Sequence, residues 1–191
     1  TATIIQSTDP DLCLAVVDYS STLNAIGSPE PALTYSFEGA TTGAGSGTGS
    51  GSSFNIGNTQ VMIVAGNSCS TTDTCRFTVF IDTPPVAQAG GPYAICHGSS
   101  VNLTGSGSYD PDGACGDIIA SYEWDINNDG SEDLNGELQT LTHAILTGYG
   151  LGVGEHQIRL TVTDSYGVTS TDYATITITA LPVATASNNG P

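Results

Sequence analysis

The sequence predicts an all-β chain of two tandem domains, and three observations carry that prediction. Segment after segment alternates apolar and polar residues at period 2, the pattern of strands with one buried face. Gly, Ser and Thr crowd the stretches between, where turns need them. A stiff Thr83-Pro84-Pro85 linker divides the 191 residues into two parts of domain size.

Composition narrows the partners. The chain has no lysine, only Arg76 and Arg159 as fixed cations, and nineteen acids, for a net charge of −17. Such a surface repels nucleic acid and anionic membranes and tolerates divalent cations and high salt. Hydrophobic residues make up 38% of the chain, which together with the periodicity argues against disorder. Charged residues are only 11%, in keeping with a secreted β-protein. No apolar run reaches the roughly 18 residues of a membrane helix, so no membrane insertion is expected. No signal peptide is visible; the chain opens at Thr1, as it would after removal of a leader.

Residues 1–83 read as the first domain. Thr3 to Ile5 is a short strand and Asp9-Pro10-Asp11 a turn. Leu12 to Tyr19 and Leu33 to Glu38 continue the sheet pattern. Gly43 to Gly51 alternates glycine with small residues and reads as a flexible surface loop; no strand-to-helix context makes it a phosphate cradle. Phe54 and Ile56 precede a Gly57-Asn58 turn. Val61 to Ala65 and Phe77 to Ile81 are the last strands, with Cys69 and Cys75 in the loop between them.

Within this domain Asp9-Pro10-Asp11-x-Cys13-x-Ala15-x-Val17, Gly39-Ala40-Thr41, Phe54-x-Ile56-Gly57-x-Thr59-x-Val61 and Cys75-x-Phe77-Thr78-Val79 resemble the hyalin repeat (HYR) module. The resemblance implies an immunoglobulin-like sandwich of extracellular adhesive proteins. It also implies that Cys13 pairs with Cys75, leaving Cys69 odd, with a Cys69–Cys75 bridge as the competing arrangement. On that resemblance, the family's opening strand, usually a proline-led apolar segment, is expected to be missing or cut short before Thr1.

Residues 84–180 read as the second domain. Ile158, Leu160 and Val162 share one face of a strand, and Ala174, Ile176 and Ile178 one face of another. Val86-Ala87-Gln88-Ala89-Gly90-Gly91-Pro92-Tyr93, Val101-x-Leu103-x-Gly105 through Asp110-Pro111-Asp112-Gly113, Tyr122-x-Trp124-Asp125, and Ile158-x-Leu160-Thr161-Val162-Thr163-Asp164-x-x-Gly167 resemble the PKD domain. That resemblance implies a second immunoglobulin-like sandwich, with strands near 99–104, 118–126, 138–146, 156–164 and 171–179.

The segment Tyr122-Glu123-Trp124-Asp125-Ile126 organises this domain. Trp124 is the sole tryptophan and is expected to anchor the core. The strand then enters an acidic loop, Asp125-x-Asn127-x-Asp129-Gly130-Ser131-Glu132-Asp133. Oxygen donors at every second residue around a glycine turn suit Ca²⁺, with Asp125, Asn127, Asp129, Ser131 and Asp133 as candidate ligands. An EF-hand would place Glu at position 136, which is Gly136, so the pattern is a shorter calcium loop or else a solvated acidic hairpin.

The five cysteines contain no C-x-x-C pair, which favours disulfides in an oxidising compartment over zinc. An odd number leaves one thiol free, shielded, or bridged to another chain. Cys96 and Cys115 are expected to pair, closing a loop worth roughly 3 kcal/mol. Asn102-Leu103-Thr104 makes Asn102 a glycosylation candidate. His97, His143 and His156 are scattered, with no partner at metal or triad spacing. Asp110 and Asp112 read as a turn that can lend oxygens to a cation, Asp164 as a turn cap, and Asp73 and Asp82 as solvated.

The tail, 181–191, carries Pro182-Val183-Ala184-Thr185-Ala186 and ends in Gly190-Pro191, echoing Pro85-Val86-Ala87-Gln88-Ala89 and Gly91-Pro92. It resembles the first strand of a further sandwich. Either it belongs to a longer multidomain protein, or it inserts into a neighbouring chain whose first domain is short of a strand. The expected function is therefore non-catalytic: an extracellular spacer, adhesin segment or fibre subunit. Its expected partners are other copies or neighbouring domains, with glycans as a further class. The alternative is an accessory module that binds insoluble substrate for a secreted protease or polysaccharide hydrolase, through Tyr93, Tyr109, Tyr149 and Tyr166.

Overall fold

The alternating segments fold as strands, and β-pairing sets which of them share a sheet. The computed structural model describes residues 2–21, 30–68, 72–182 and 184. Contacts group the chain into two units. The first comprises Thr1–Pro84 together with Pro111–Asp117; the second comprises Pro85–Asp110 and Ile118–Pro191.

The first unit contains β1 (Thr3–Gln6), β2 (Leu14–Val17), β3 (Ala32–Gly39), β4 (Gly43–Ser46), β5 (Ser52–Asn55), β6 (Gly57–Gly66) and β7 (Thr72–Ile81). One sheet has the order β1-β7-β6-β3-β4; β2 and β5 form the other. β1 runs parallel to β7, and the remaining pairs are antiparallel. Ala15, Val17, Phe37, Phe54, Val61, Ile63, Val79 and Ile81 fill the space between the sheets. Alternation explains the choice: Val61 and Ile63 are buried on one face of β6 while Gln60 is exposed on the other.

Two details of this unit depart from expectation. Gly43–Ser46 is a paired strand, not a flexible loop, with Phe37 opposite Gly43 and Tyr35 opposite Gly45. Aromatic packing needs the glycines. A Cβ on Gly45 would meet the Tyr35 ring at 2.9 Å, and one on Gly49 would meet Phe37 at 2.7 Å. Cys75 also lies on β7 opposite Ile63, outside the preceding loop.

The second unit repeats the plan. It contains β8 (Tyr93–Cys96), β9 (Ser100–Thr104), β10 (Ile119–Asp125), β11 (Leu134–Asn135), β12 (Leu138–Thr142), β13 (Gly154–Asp164) and β14 (Thr169–Thr179). The sheets are β11-β10-β13-β14-β8 and β12-β9, with β8 parallel to β14 as β1 is to β7. Trp124 is fully buried among Leu103, Ile158, Leu160, Ile176 and their neighbours, and its Nε1 donates to the Gly136 carbonyl at 3.0 Å. Ala87 and Ala89 join the same core. The strand expected to run to residue 146 ends at Thr142. There the Thr142 hydroxyl accepts from the Ile145 N–H and caps a one-turn-and-a-half helix, α1 (His143–Gly148), which buries Leu146.

The expected pairings of Cys13 with Cys75 and of Cys96 with Cys115 are both corrected. Cys13 is bonded to Cys115, while Cys75 and Cys96 are free and exposed. The cause lies in the 111–117 excursion, which packs within the first unit although the chain on either side belongs to the second. Asp112 fixes it there. The buried Asp112 carboxylate accepts from the Thr8 hydroxyl at 2.7 Å and from the Thr83 N–H at 2.8 Å, and the Asp112 carbonyl closes a turn with the Cys115 N–H. Cys69 lies outside the described residues.

Candidate functional site

The acidic loop joins β10 to β11, and β-pairing determines its shape. The Asp133 N–H donates to the Trp124 carbonyl at 2.8 Å, closing the hairpin base. Within it, Asp125 acts as the hub. Its Oδ1 accepts from the Asp129 N–H at 3.1 Å and its Oδ2 from the Gly130 N–H at 2.9 Å. Asn128 and Gly130 adopt positive φ, which bends the backbone around that carboxylate. Asp133 turns inward as well, accepting from the Ile126 N–H at 2.7 Å.

Asp125 is buried, so its charge requires compensation. β13 supplies it: Arg159, opposite Asp125 in the ladder, places a guanidinium nitrogen 2.8 Å from Asp125 Oδ2. At the exposed tip, Asp129 Oδ1 accepts from the Ser131 N–H at 2.8 Å and Asp129 Oδ2 from the Asn127 amide at 3.0 Å. These two contacts, the backbone one first, hold the Asp129 carboxyl below its ordinary range. Asp125, Asn127, Asp129, Ser131 and Asp133 thus share one short turn, but the carboxylates of Asp125, Asp129 and Asp133 accept from N–H groups of that turn and, among the described residues, do not bring three ligand oxygens within 4.8 Å of one another. The loop's oxygens are of the type a hard cation takes, and Arg159 is the cation that already faces Asp125.

Other carboxylates fall into different roles. Asp164 caps the β13–β14 turn as expected, its Oδ1 accepting from the Tyr166 and Val168 N–H groups at 2.9 and 2.8 Å. Asp82 is buried and not solvated. In the first unit its carboxylate oxygen lies within 4.8 Å of one from Asp117, also buried.

The remaining candidates are placed as follows. Asn102 is exposed on β9, with its Oδ1 accepting from the Thr140 hydroxyl at 2.8 Å. Tyr109 and Tyr166 are exposed, whereas Tyr93 and Tyr149 pack against the core. His97 and His143, scattered in the sequence, are brought together with ring centres 4.6 Å apart. The signal for that contact is the β9–β12 register, which residue spacing alone does not reveal.

Residues 82–179 match the family model described as the PKD domain. No curated protein matches the chain in sequence. Among solved structures, extracellular domains 3–5 of Drosophila OTK align over 92% of this chain and 59% of that one, at 14% identity and a TM-score of 0.50. The PKD1 domain of Vibrio anguillarum Epp aligns over 52% of this chain and 99% of that one, at 25% identity and a TM-score of 0.38. The fibronectin(III)-like modules of Clostridium thermocellum CbhA align over 98% and 96%, at 12% identity and a TM-score of 0.43. The strand orders and the OTK likeness agree on two tandem immunoglobulin-like sandwiches. Among the described residues, no helix is long and apolar enough to cross a membrane.

Proposed function

Because the chain belongs to the PKD domain family through residues 82–179, we propose that it is a non-catalytic structural or adhesive protein of the extracellular space. The observation that carries this reading is the Cys13–Cys115 bridge, a bond that persists in oxidising compartments. It reinforces an immunoglobulin-like unit, and such units serve as spacers and contact modules. In this reading the first unit is HYR-like, with a disulfide placed differently from the one that the resemblance implies.

Calcium belongs to the same proposal. Ca²⁺ in the 125–133 loop would neutralise repulsion among Asp125, Asp129, Glu132 and Asp133 and stiffen the hairpin. Arg159 competes for Asp125, so the loop is tuned to weak binding of the kind found in extracellular modules.

Self-association is the finer step. In the second unit, the Pro-Val-Ala-x-Ala motif buries Ala87 and Ala89, and the Ala89 N–H donates to Asp172 at 2.8 Å. The tail repeats that motif, and the first unit shares the strand order of the second. The tail of one copy would add to the first sandwich of the next, a head-to-tail contact that propagates. Analytical ultracentrifugation of the chain and of a version ending at Ala180 tests this. The proposal expects concentration-dependent oligomers that vanish without the tail; a monomer in both cases contradicts it. The exposed Tyr109 and Tyr166 favour the second reading, an accessory substrate-binding module. A monomer that sediments with insoluble polysaccharide or fibrous protein, and loses this on Tyr109→Ala, would select it.

A further inference from the structure

His97 and His143 are far apart in sequence but adjacent in the second unit, and the fold brings them together through a specific path. β8 ends at Cys96 and the chain turns through His97 and Gly98, the latter at φ +81°. The Ser99 N–H donates to the Cys96 carbonyl at 3.1 Å, and the Ser99 hydroxyl donates to the same carbonyl at 2.7 Å, so the turn is tight. β9 then pairs with β12, with Ser100 opposite Thr142. That register delivers His143 to the turn, where its N–H donates to the Ser99 carbonyl at 3.4 Å. The imidazole centres lie 4.6 Å apart with the rings tilted by 49°. His97 is exposed and His143 half-buried, beside a surface recess of about 620 Å³ lined by Gly98, Ser99, Ser100, Thr142, His143 and Ala144.

We propose that this pair is a chelating site for a divalent transition ion of the Zn²⁺, Ni²⁺ or Cu²⁺ class. Two imidazoles on one such ion, each bonded at about 2.0–2.1 Å, place their ring centres roughly 5 Å apart, close to the observed spacing. Parallel stacked rings would hold their in-plane lone pairs in planes that never meet; the 49° tilt removes that bar. The donor type sets the metal class. Imidazole nitrogen suits Zn²⁺, Ni²⁺ and Cu²⁺, whereas Ca²⁺ and Mg²⁺ prefer oxygen. This separates the site from the acidic loop in chemistry as well as in place. The net charge of −17 raises the local concentration of any cation. Water fills the coordination positions that two side chains leave open. The exposed free thiol of Cys96 is the competing ligand nearby, so a test must separate thiol from imidazole.

The test titrates ZnCl₂ into the full chain by calorimetry, in excess Ca²⁺ to occupy oxygen sites. One saturable site is expected, retained in Cys75→Ser/Cys96→Ser and weakened roughly tenfold or more by His97→Ala or His143→Ala. A second readout does not depend on affinity. Substoichiometric Ni²⁺ should broaden the ring resonances of His97 and His143 before those of His156, whose ring nitrogen lies 2.8 Å from the Gly152 carbonyl. Unchanged zinc binding in the double histidine variant overturns the proposal. Loss of binding in Cys96→Ser with both histidines intact also overturns it, as does equal broadening of all three histidines.

Discussion

Asp125 shows how much one side chain can organise. Buried and charged, it holds two backbone N–H groups of its own loop and the Arg159 guanidinium from β13. Removing Arg159 leaves that charge with backbone donors alone, so Arg159→Gln should lower stability by about 2–3 kcal/mol in a urea melt. If Ca²⁺ enters the loop, the same variant should bind it more tightly, because the competing cation is gone. Asp129 gives a pH signature. Its folded pKa is depressed, so its contribution is present above the ordinary value of 3.8 and is lost as pH falls through the lower folded value. A carboxyl NMR titration should find Asp129 the more acidic when compared with an unstructured aspartate. Tyr19 gives the opposite case. Burial, then Tyr35, pushes its hydroxyl up to about 12. Its neutral form therefore supports the fold below pH 10, and that support fades between 10 and about 12, which an ultraviolet titration can follow. The acidic turn itself was legible in sequence, since its residues are local. Arg159 was not, because its part depends on the β10–β13 register.

At the scale of elements, period-2 alternation was a reliable guide wherever a strand had one buried face, as in β6, β13 and β14. It failed at β4, where Gly-Ala-Gly-Ser offers only the small, exposed Ala44 and no apolar residues to alternate with it. The partner strand supplies the missing bulk: the Tyr35 and Phe37 rings, 4.7 Å apart, lie over the glycine backbone. This makes a graded prediction. Gly47 has φ +89° and open space, so Gly47→Ala should cost about 1 kcal/mol of backbone strain alone. Gly49 has φ +80° and a Cβ there would crowd Phe37, Tyr19 and Tyr35, so Gly49→Ala should cost about 3 kcal/mol. Equal losses in melting temperature would contradict the packing account. The end of β12 was also missed. Thr142 is the last strand residue, paired with Ser100, and its hydroxyl caps α1, which takes the chain out of the sheet.

For the whole molecule, the legible part was the class: two sandwiches, separated near the paired prolines, with one core each. The disulfide was not legible, because its partners are 102 residues apart and meet through a loop that folds with the other unit. Cross-linking so long a stretch constrains the unfolded chain strongly. Cys13→Ser/Cys115→Ser should therefore lose about 4 kcal/mol, and Cys75→Ser/Cys96→Ser, at exposed free thiols, well under 1. The proposed role is the larger claim, that these sandwiches work as calcium-stiffened modules of an extracellular assembly. Electron microscopy of the purified chain, in calcium and in EDTA, addresses it most directly. The account predicts regular linear assemblies in calcium that shorten or disperse in EDTA. Uniform single particles in both conditions, at high protein concentration, would contradict it.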